Sequence, residues 1–555
     1  MRSLWLFLAA CGVLAAQTTP VILISIDTLR ADHVGVYGYR RVPTANIDSY
    51  AAGGTVVEQA DAQIPLTLPS HASLFTSTYP FQNGIEENAE PLKDGPPSLA
   101  SVLKGRGYQT AAFAGSVFLE KEMGLDAGFD FYDSPFRFTA FSPLSGSMFF
   151  GAAPRGVREG AERRDGALVV RAATQWLSAR RGQSVFAFVH LYDLHTPYRH
   201  SATHALTASP EGYDRELQYV DRLLGRFKSA LVEQGWWDRS LVIVLSDHGE
   251  SLGDHGEGTH GYFIYESTLR VPLLIHWPSG FQSPGTRIAG PAGLIDVAPT
   301  VLDFLRIPAP SSFAGTSLLR TPPAAVFGES FHCHDSFGWS PLLSLRVGEF
   351  KYIQAPRPEL YNLKEDPGET RNLVRTNPAK AASLRTSLGR LLSARGGKRS
   401  EPAAQTAGTR ALLGSLGYLA AGPGLKRGTP GADPKDKLPE FRLYEDAMAA
   451  LYNRNLEKAA SILRRLVAMD PGNTLARRDL GSVYLEQKHY SDAAAAFRKV
   501  LEAAPGDYVT NYELGIAAAR LGRKAEAEER LRTACRIAPA AEQCGQELKA
   551  LSGQR

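Results

Sequence analysis

Two apolar, β-branched runs of this chain end in residues that bind divalent cations. Val21-Ile-Leu-Ile-Ser-Ile26 reads as a buried strand of a parallel sheet and runs into Asp27-Thr28-Leu29-Arg30. Ser240-Leu-Val-Ile-Val-Leu245 reads the same way and runs into Ser246-Asp247-His248-Gly249-Glu250. The carboxyl ends of parallel strands meet along one edge of a sheet, where open α/β folds place their ligands. With Thr67, from the segment Ile64-Pro-Leu-Thr-Leu-Pro-Ser-His-Ala-Ser-Leu-Phe-Thr-Ser77, the residues Asp27, Asp247 and His248 form a candidate single-metal constellation. A divalent ion held there would lower the pKa of the Thr67 hydroxyl and make a weak nucleophile available near neutral pH. A Ser-Asp-His-Gly on its own is more often a turn than a ligand pair, but its place after a strand and upstream of Glu266-Ser-Thr-Leu-Arg-Val-Pro272 argues for metal.

The order of further motifs gives these residues a family setting. After the Asp27 strand end and the Thr67 loop come Leu74-Phe-Thr-Ser-Thr-Tyr-Pro80, His190-Leu-Tyr-Asp-Leu-His-Thr-Pro-Tyr198, the Asp247-His248 pair with Glu266–Pro272, and Glu359-Leu-Tyr-Asn-Leu-Lys-Glu-Asp-Pro-Gly-Glu-Thr-Arg-Asn-Leu373. In this order, over about residues 20 to 390, the chain resembles a sulfatase-type member of the alkaline phosphatase superfamily. The resemblance implies an α/β fold, a mostly parallel sheet flanked by helices, with a smaller C-terminal subdomain over about 325–392. It also implies that Thr67 occupies the place of the reactive residue.

The departures from that pattern bear on mechanism. The family's sulfatases convert a cysteine or serine, set before a proline and an arginine, into formylglycine, whose hydrate attacks sulfur and then expels sulfate by collapsing to the aldehyde. Thr67 and His71 stand in place of both required residues. An unmodified threonine has no aldehyde route, whereas a phosphorylated threonine is resolved by in-line attack of water or an acceptor alcohol, so phosphoryl transfer is favoured over sulfate hydrolysis. Thr28 and His248 replace an aspartate and an asparagine typical of sulfatases, which reduces the likeness to a calcium cage. One zinc or manganese ion is expected, with calcium or magnesium as alternatives. Asp193 and His195 are two residues apart, where a second metal of the alkaline phosphatase type needs an Asp and a His four apart.

The resemblance assigns the remaining polar residues. Asn88 stands where nucleotide pyrophosphatase-like relatives have a donor to the phosphoryl oxygens, and His260 where phosphoethanolamine transferases have a histidine. His195 or His260 is the expected general acid, with the choice open. His190 is either a substrate-binding histidine or a buried, hydrogen-bonded one, and His71 either a substrate contact or a residue that stabilises the turn. Ser70 and Ser73 are rival nucleophiles. His332 and His334, around Cys333, are expected in a solvent-exposed loop rather than in a metal tract.

Composition bounds the rest. With 555 residues, 44% hydrophobic and 21% charged, the chain is globular and too long for one ordinary domain. A net charge of +4 implies no nucleic acid partner. Met1-Arg-Ser3 followed by the short apolar stretch Leu4–Leu14 and Ala15-Ala16 reads as a secretory signal over 1–16, so a secreted or periplasmic protein is expected. Leu8-Ala-Ala-Cys11 also fits a lipoprotein cleavage box, which would leave a lipid anchor. No other apolar run has spanning length.

The catalytic region is placed at 17–392 and a Gly, Pro, Ala, Lys and Arg-rich linker at 393–438, with Arg410–Leu419 as one candidate docking helix. From 439 to 552 a 34-residue period appears: Pro471, Pro505 and Pro539; Ala459, Ala493 and Ala527; Leu463, Phe497 and Leu531; and Leu480-Gly481 repeated as Leu514-Gly515. This is the tetratricopeptide pattern, three repeats being enough to bury a shared core, and a protein partner in their concave groove is expected. Cys535 and Cys544 either pair or stay as separate thiols. The sequence thus points to an exported, metal-dependent hydrolase of phosphate monoesters, diesters or phosphonates, or of sulfate esters, acting on a small or polymeric substrate. A phosphoethanolamine-type transferase, a formylglycine-independent sulfatase and an inactive scaffold are the alternatives.

Overall fold

Strand β1 (Val21–Ile26) is buried on both sides, and its residues alternate between two apolar layers: Val21 and Leu23 join one, Ile22, Ile24 and Ile26 the other. Such two-sided burial needs helices on both faces of the sheet. A computed structural model describes residues 19–88, 92, 95–136, 163–199, 208–282, 287–320, 323–393, 431–537 and 542–553. The expected signal segment 1–16 and the candidate docking helix 410–419 lie outside them.

The described residues form a nine-stranded sheet. Strands β4 (Phe131–Asp133), β3 (Gln109–Phe113), β5 (Val185–Leu191), β1 and β6 (Leu241–Leu245) are neighbours in that order and all parallel. Beyond β6 the sheet turns antiparallel through β8 (Leu273–His276), β2 (Thr55–Asp61) and β7 (Arg270–Val271), while β9 (Arg287–Gly293) runs parallel to β2. Helices Gly166–Ser178 and Pro210–Glu233 supply the layer around Ile22 and Ile24; helices Thr67–Thr76 and Val297–Phe304 supply the opposite one. The mostly parallel, helix-flanked sheet expected from the sequence is present. It places β1, β5 and β6 side by side, so Asp27, the His190–His195 segment and Asp247-His248 leave it at one edge.

A second, antiparallel sheet follows, β10 (Val326–Ser330), β11 (Leu342–Val347), β12 (Phe350–Gln354) and β13 (Glu359–Asn362), with helix Pro378–Ser393 packed on it through Ala381, Leu384 and Leu388. Arg346 of β11 reaches Asp61 of β2 at 3.0 Å and Glu266 at 3.1 Å, and Lys351 of β12 reaches Glu266 at 2.9 Å, so a buried ion cluster ties the two sheets together.

The C-terminal helices alternate in pairs: Leu438–Tyr452 with Leu456–Met469, Thr474–Glu486 with Tyr490–Ala503, Tyr508–Arg520 with Lys524–Ile537, then Glu542–Ser552. Small residues mark the helix crossings. A Cβ on Gly481 would lie 2.5 Å from the Phe497 ring, and one on Gly515 2.7 Å from Leu531, so the Leu-Gly repeat is a packing requirement. Cys535 and Cys544 pair as a disulfide. The array does not hang free: Phe441, Tyr444 and Met448 share one apolar cluster with Tyr262, Cys333, Phe337 and Trp339 of the catalytic region. Gly431 and Ala432 hydrogen-bond to Ser340, and Asp433 accepts from the Arg357 N–H. Among the described residues no helix is long and apolar enough to cross a membrane.

Candidate active site

The backbone at the sheet edge is knitted so that three ligand atoms face one point. The Asp27 N–H donates to the Leu191 carbonyl of β5, and Thr28 then turns the chain at φ 57°. A β-branched residue in the left-handed region costs about 1–3 kcal/mol, and here the neighbours hold it there. Thr28 N–H donates to Asp247 Oδ1 at 3.3 Å, Leu29 N–H to Ser246 Oγ at 2.8 Å, and Tyr213 Oη to the Thr28 carbonyl at 2.8 Å. Asp247 Oδ1 also accepts from the His248 N–H. His248 Nδ1 lies 2.9 Å from the Gly249 carbonyl, which can only accept, so the proton is on Nδ1 and Nε2 carries the lone pair.

What is left over is a candidate ligand set. Asp27 Oδ1, Asp247 Oδ2 and His248 Nε2 are buried with no hydrogen-bond partner, and the ligand atoms of these three residues lie within 4.8 Å of one another. Burial pushes the Asp27 carboxyl up to about 7, against the lowering effect of His248, and burial together with the Asp27 charge raises that of Asp247. Buried carboxylate oxygens and a lone pair without hydrogen-bond partners are costly. Two carboxylate oxygens and a neutral imidazole nitrogen are a donor set that fits one divalent cation.

Thr67 is the first residue of a helix whose ten residues, Thr67–Thr76, are all buried. Its Oγ1 lies 3.3 Å from Asp27 Oδ2, as donor to that carboxylate. Two ties aim the helix end. Ser70 Oγ donates to the Asp247 carbonyl at 2.6 Å, and His71 bridges, Nδ1 to the Thr67 carbonyl at 2.7 Å and Nε2 to Ser25 Oγ at 2.9 Å. Both ring nitrogens of His71 are thus engaged, and burial pushes its pKa down to about 4. The Leu68 N–H is taken by Asn88 Oδ1 at 2.9 Å, which leaves Asn88 Nδ2 as a buried donor without a partner.

Four histidines surround this centre. His190 Nε2 is 3.3 Å from Asp27 Oδ2, its ring is edge-on to His71, and burial holds its pKa near 4. His248, His260 and His195 follow in a row, with ring centroids 4.5 Å and 5.0 Å apart. His260 Nδ1 lies 3.1 Å from Glu250 Oε1, whereas His195 Nδ1 donates to the Thr196 carbonyl at 2.6 Å and its ring stacks on Tyr192. Burial, then the neighbouring His260 and Arg163, hold His195 well below the usual imidazole range. Asp193 is spent elsewhere, accepting from the Gly166 N–H at the start of a helix.

The expectation of an exposed loop at His332 and His334 is overturned. Both lie in the short helix His332–Phe337 and are buried, because the docked repeat helix and Tyr262 cover that helix. His332 Nδ1 meets Glu87 Oε2 at 3.2 Å. Burial would lower this histidine, but the Glu87 charge and hydrogen bond outweigh it and its pKa rises. Glu250 and the Glu87–His332 pair escaped sequence reasoning; Glu250 stood three residues after Asp247, with nothing in its spacing to mark a partner for His260.

Fold and site together define an α/β protein with a candidate ester-cleaving centre at one edge of its sheet, and the comparisons give it a family. The Sulfatase family model matches residues 19–307, the N-sulphoglucosamine sulphohydrolase C-terminal model residues 258–395, and two tetratricopeptide repeat models residues 444–508 and 484–550. The chain belongs to the sulfatase family. It is similar to an arylsulfatase of Clostridium perfringens, 29% identical over 189 residues, a match covering 32% of this chain and 38% of that protein. A delta 4,5-hexuronate-2-O-sulfatase of Bacteroides thetaiotaomicron is 24% identical over 444 residues, covering 66% of this chain and 87% of that one. The phosphonate monoester hydrolase of Agrobacterium radiobacter shares the fold, with a TM-score of 0.54 at 21% identity over 68% of this chain and 96% of its own.

Proposed function

We propose that this protein is a metal-dependent hydrolase of phosphate or phosphonate esters, with sulfate esters as poorer substrates, and that Thr67 is its nucleophile. The observation that carries this reading is the Thr67 hydroxyl 3.3 Å from Asp27 Oδ2, beside three buried ligand atoms without partners. Asp27, Asp247 and His248, with Thr67, would hold one divalent ion, zinc or manganese by the imidazole-containing donor set, which when bound would neutralise charge on the ester and lower the pKa of the threonine.

The chain's own residues supply the remaining steps. The Thr67 proton passes to Asp27 Oδ2 as Oγ1 attacks phosphorus, and the bond to the leaving oxygen breaks on the opposite side. Asn88 Nδ2 is a donor for the non-bridging oxygens. The geometry favours His260 over His195 as proton donor to the leaving oxygen: its Nδ1 faces a side-chain carboxyl, Glu250, rather than a carbonyl, and because burial holds the imidazole down near 4 and pushes Glu250 up to about 8, that pair carries a proton near neutral pH which His260 can relay. His195 has its Nδ1 proton committed to a carbonyl, so its Nε2 lone pair suits proton removal from the water that resolves the phosphothreonine. His71, engaged at both nitrogens, supports the turn rather than the substrate. Ser70 is a structural tie and not the nucleophile.

A threonine lacks the second hydroxyl by which formylglycine hydrate ejects sulfate, and this ranks phosphate esters above sulfate esters. The protein is also read as exported: the N-terminal signal pattern and the Cys535–Cys544 pair suit an oxidising compartment. The test is turnover of aryl phosphate, phosphonate monoester, phosphate diester and aryl sulfate by the metal-loaded protein and by Thr67→Ala. Dominant sulfatase turnover, or activity that survives Thr67→Ala, overturns the reading.

A further inference from the structure

His260 sits in a glycine-rich segment with little regular structure. Between Gly253 and Tyr262 there are four glycines, of which Gly253, Gly256 and Gly261 have positive φ, and the only regular element is the single turn Asp254–Gly256. On its inner side the segment is pinned by Arg30 to Asp254, by the Ser251 N–H to the Thr259 carbonyl, and by the buried Glu257 carboxylate, which accepts from the N–H groups of Tyr262 and Phe263.

Its outer side is covered by the first repeat helix, Leu438–Tyr452, along one turn-spaced stripe. Arg442 Nε donates to the Gly256 carbonyl at 3.1 Å, and a Cβ on Gly256 would come within 2.5 Å of both Arg442 and Leu438. Glu445 lies over Gly258, where a Cβ would sit 2.7 Å from its Oε1. The Phe441 ring packs on Tyr262 with centroids 3.8 Å apart. Leu438, Phe441, Arg442 and Glu445 are spaced i, i+3, i+4, i+7, the face of one helix. Gly256, Gly258 and Tyr262, the residues they cover, bracket His260.

We propose that the first tetratricopeptide helix is a positioning element of the active site, with Phe441 and Arg442 holding the glycine-rich segment so that His260 meets Glu250 and the leaving oxygen. The repeat array then contributes to catalysis through the segment it covers. This rests on His260 being the proton donor, and the experiment separates the two claims.

Full-length Arg442→Ala, Phe441→Ala, Arg442→Lys and His260→Ala proteins are compared with the parent on phosphate esters whose leaving groups run from 2,4-dinitrophenol to a simple alcohol. Divalent-metal content and thermal unfolding are followed in parallel. A dinitrophenyl ester needs no protonation of its leaving group, so its rate should stay within about twofold. The alkyl ester should lose ~10²-fold in kcat in His260→Ala and about tenfold in Arg442→Ala and Phe441→Ala, with KM little changed and part of the loss restored in Arg442→Lys. Arg498→Ala, which breaks an ion pair with Glu526 deeper in the array, should change neither ester. Arg442 is exposed, so that variant keeps the test valid if Phe441→Ala unfolds. If His260→Ala is selective for the poor leaving group and the array variants are not, the inference is overturned. If His260→Ala loses both esters equally, the proton-donor reading falls, and this inference with it.

Discussion

His260 Nδ1 lies 3.1 Å from Glu250 Oε1, ten residues earlier in the chain, and neither side chain has solvent to fall back on. An imidazole hydrogen-bonded at one nitrogen to a buried carboxyl is fixed in orientation with its other nitrogen free for proton exchange. The same pairing separates His260 from His195, whose Nδ1 proton goes to a neutral carbonyl.

Glu250→Gln keeps the size of that partner and removes the exchangeable proton that burial, pushing its carboxyl up to about 8, leaves on it. Activity on an alkyl phosphate should fall about tenfold while activity on a dinitrophenyl phosphate holds, a split read directly from kcat for the two esters. Equal losses on both would mean that Glu250 only supports the fold.

Asn88 has two tasks that substitution can divide. Asn88→Asp still accepts from the Leu68 N–H but has no donor for a phosphoryl oxygen, and Asn88→Ala loses both functions. Both should lower kcat by ~10²-fold if the donor acts in the transition state. Only Asn88→Ala should also lower the melting temperature, because it leaves a buried N–H unpaired.

Removal of the cation should destabilise the protein as well as silence it. Without an ion, one oxygen of each of two buried aspartates and a buried lone pair face one another without hydrogen-bond partners. At a thousandfold excess over Kd a bound ion contributes about 4 kcal/mol. Chelation should therefore lower the melting temperature by several degrees, zinc or manganese should restore it, and Asp247→Ala should abolish the difference between the two states.

The two sheets were legible in different degrees, and so was the site. The apolar runs before Asp27 and Asp247 identify β1 and β6 because a strand buried on both faces needs nothing but apolar residues. The 34-residue period gives the array because each repeat packs on a copy of itself. Relations between distant segments left no such trace. Phe441, Arg442 and Glu445 look like an ordinary amphipathic stripe until Gly256, Gly258 and Tyr262 are brought under them. His332 and His334 read as loop residues because a helix of six residues carries too little periodicity to be seen. The role of His71 depended on Ser25, forty-six residues away and inside a strand that otherwise reads as pure core.

Within the ion cluster between the sheets, Glu266 contributes a pH dependence of definite sign, opposite to that of Asp61, whose carboxyl burial pushes up to about 6. Burial raises the Glu266 carboxyl, but Lys351 and Arg346 outweigh it and hold Glu266 at about 2, below its unfolded value of 4.5. The stabilisation is therefore fully present above about pH 4.5 and is lost as pH falls toward 2. In urea unfolding the parent should exceed Glu266→Gln in stability at pH 6, and the gap should narrow steadily from pH 4.5 downward. Lys351→Met, which removes one of the two cations facing the buried Glu266 carboxylate, should cost about 3 kcal/mol at pH 7.

The most direct measurement of the central claim is the covalent state of Thr67 during turnover. The His195→Ala protein, in which attack by water is slowed, is mixed with an aryl phosphate, quenched in acid and digested, and the peptide carrying Thr67 is weighed and sequenced by mass spectrometry. A phosphoryl group on Thr67, formed within the first turnover and absent in Thr67→Ser (where it moves to the serine) or Thr67→Ala, is the expected result. An unmodified Thr67 throughout turnover, with Thr67→Ala still active, would contradict it.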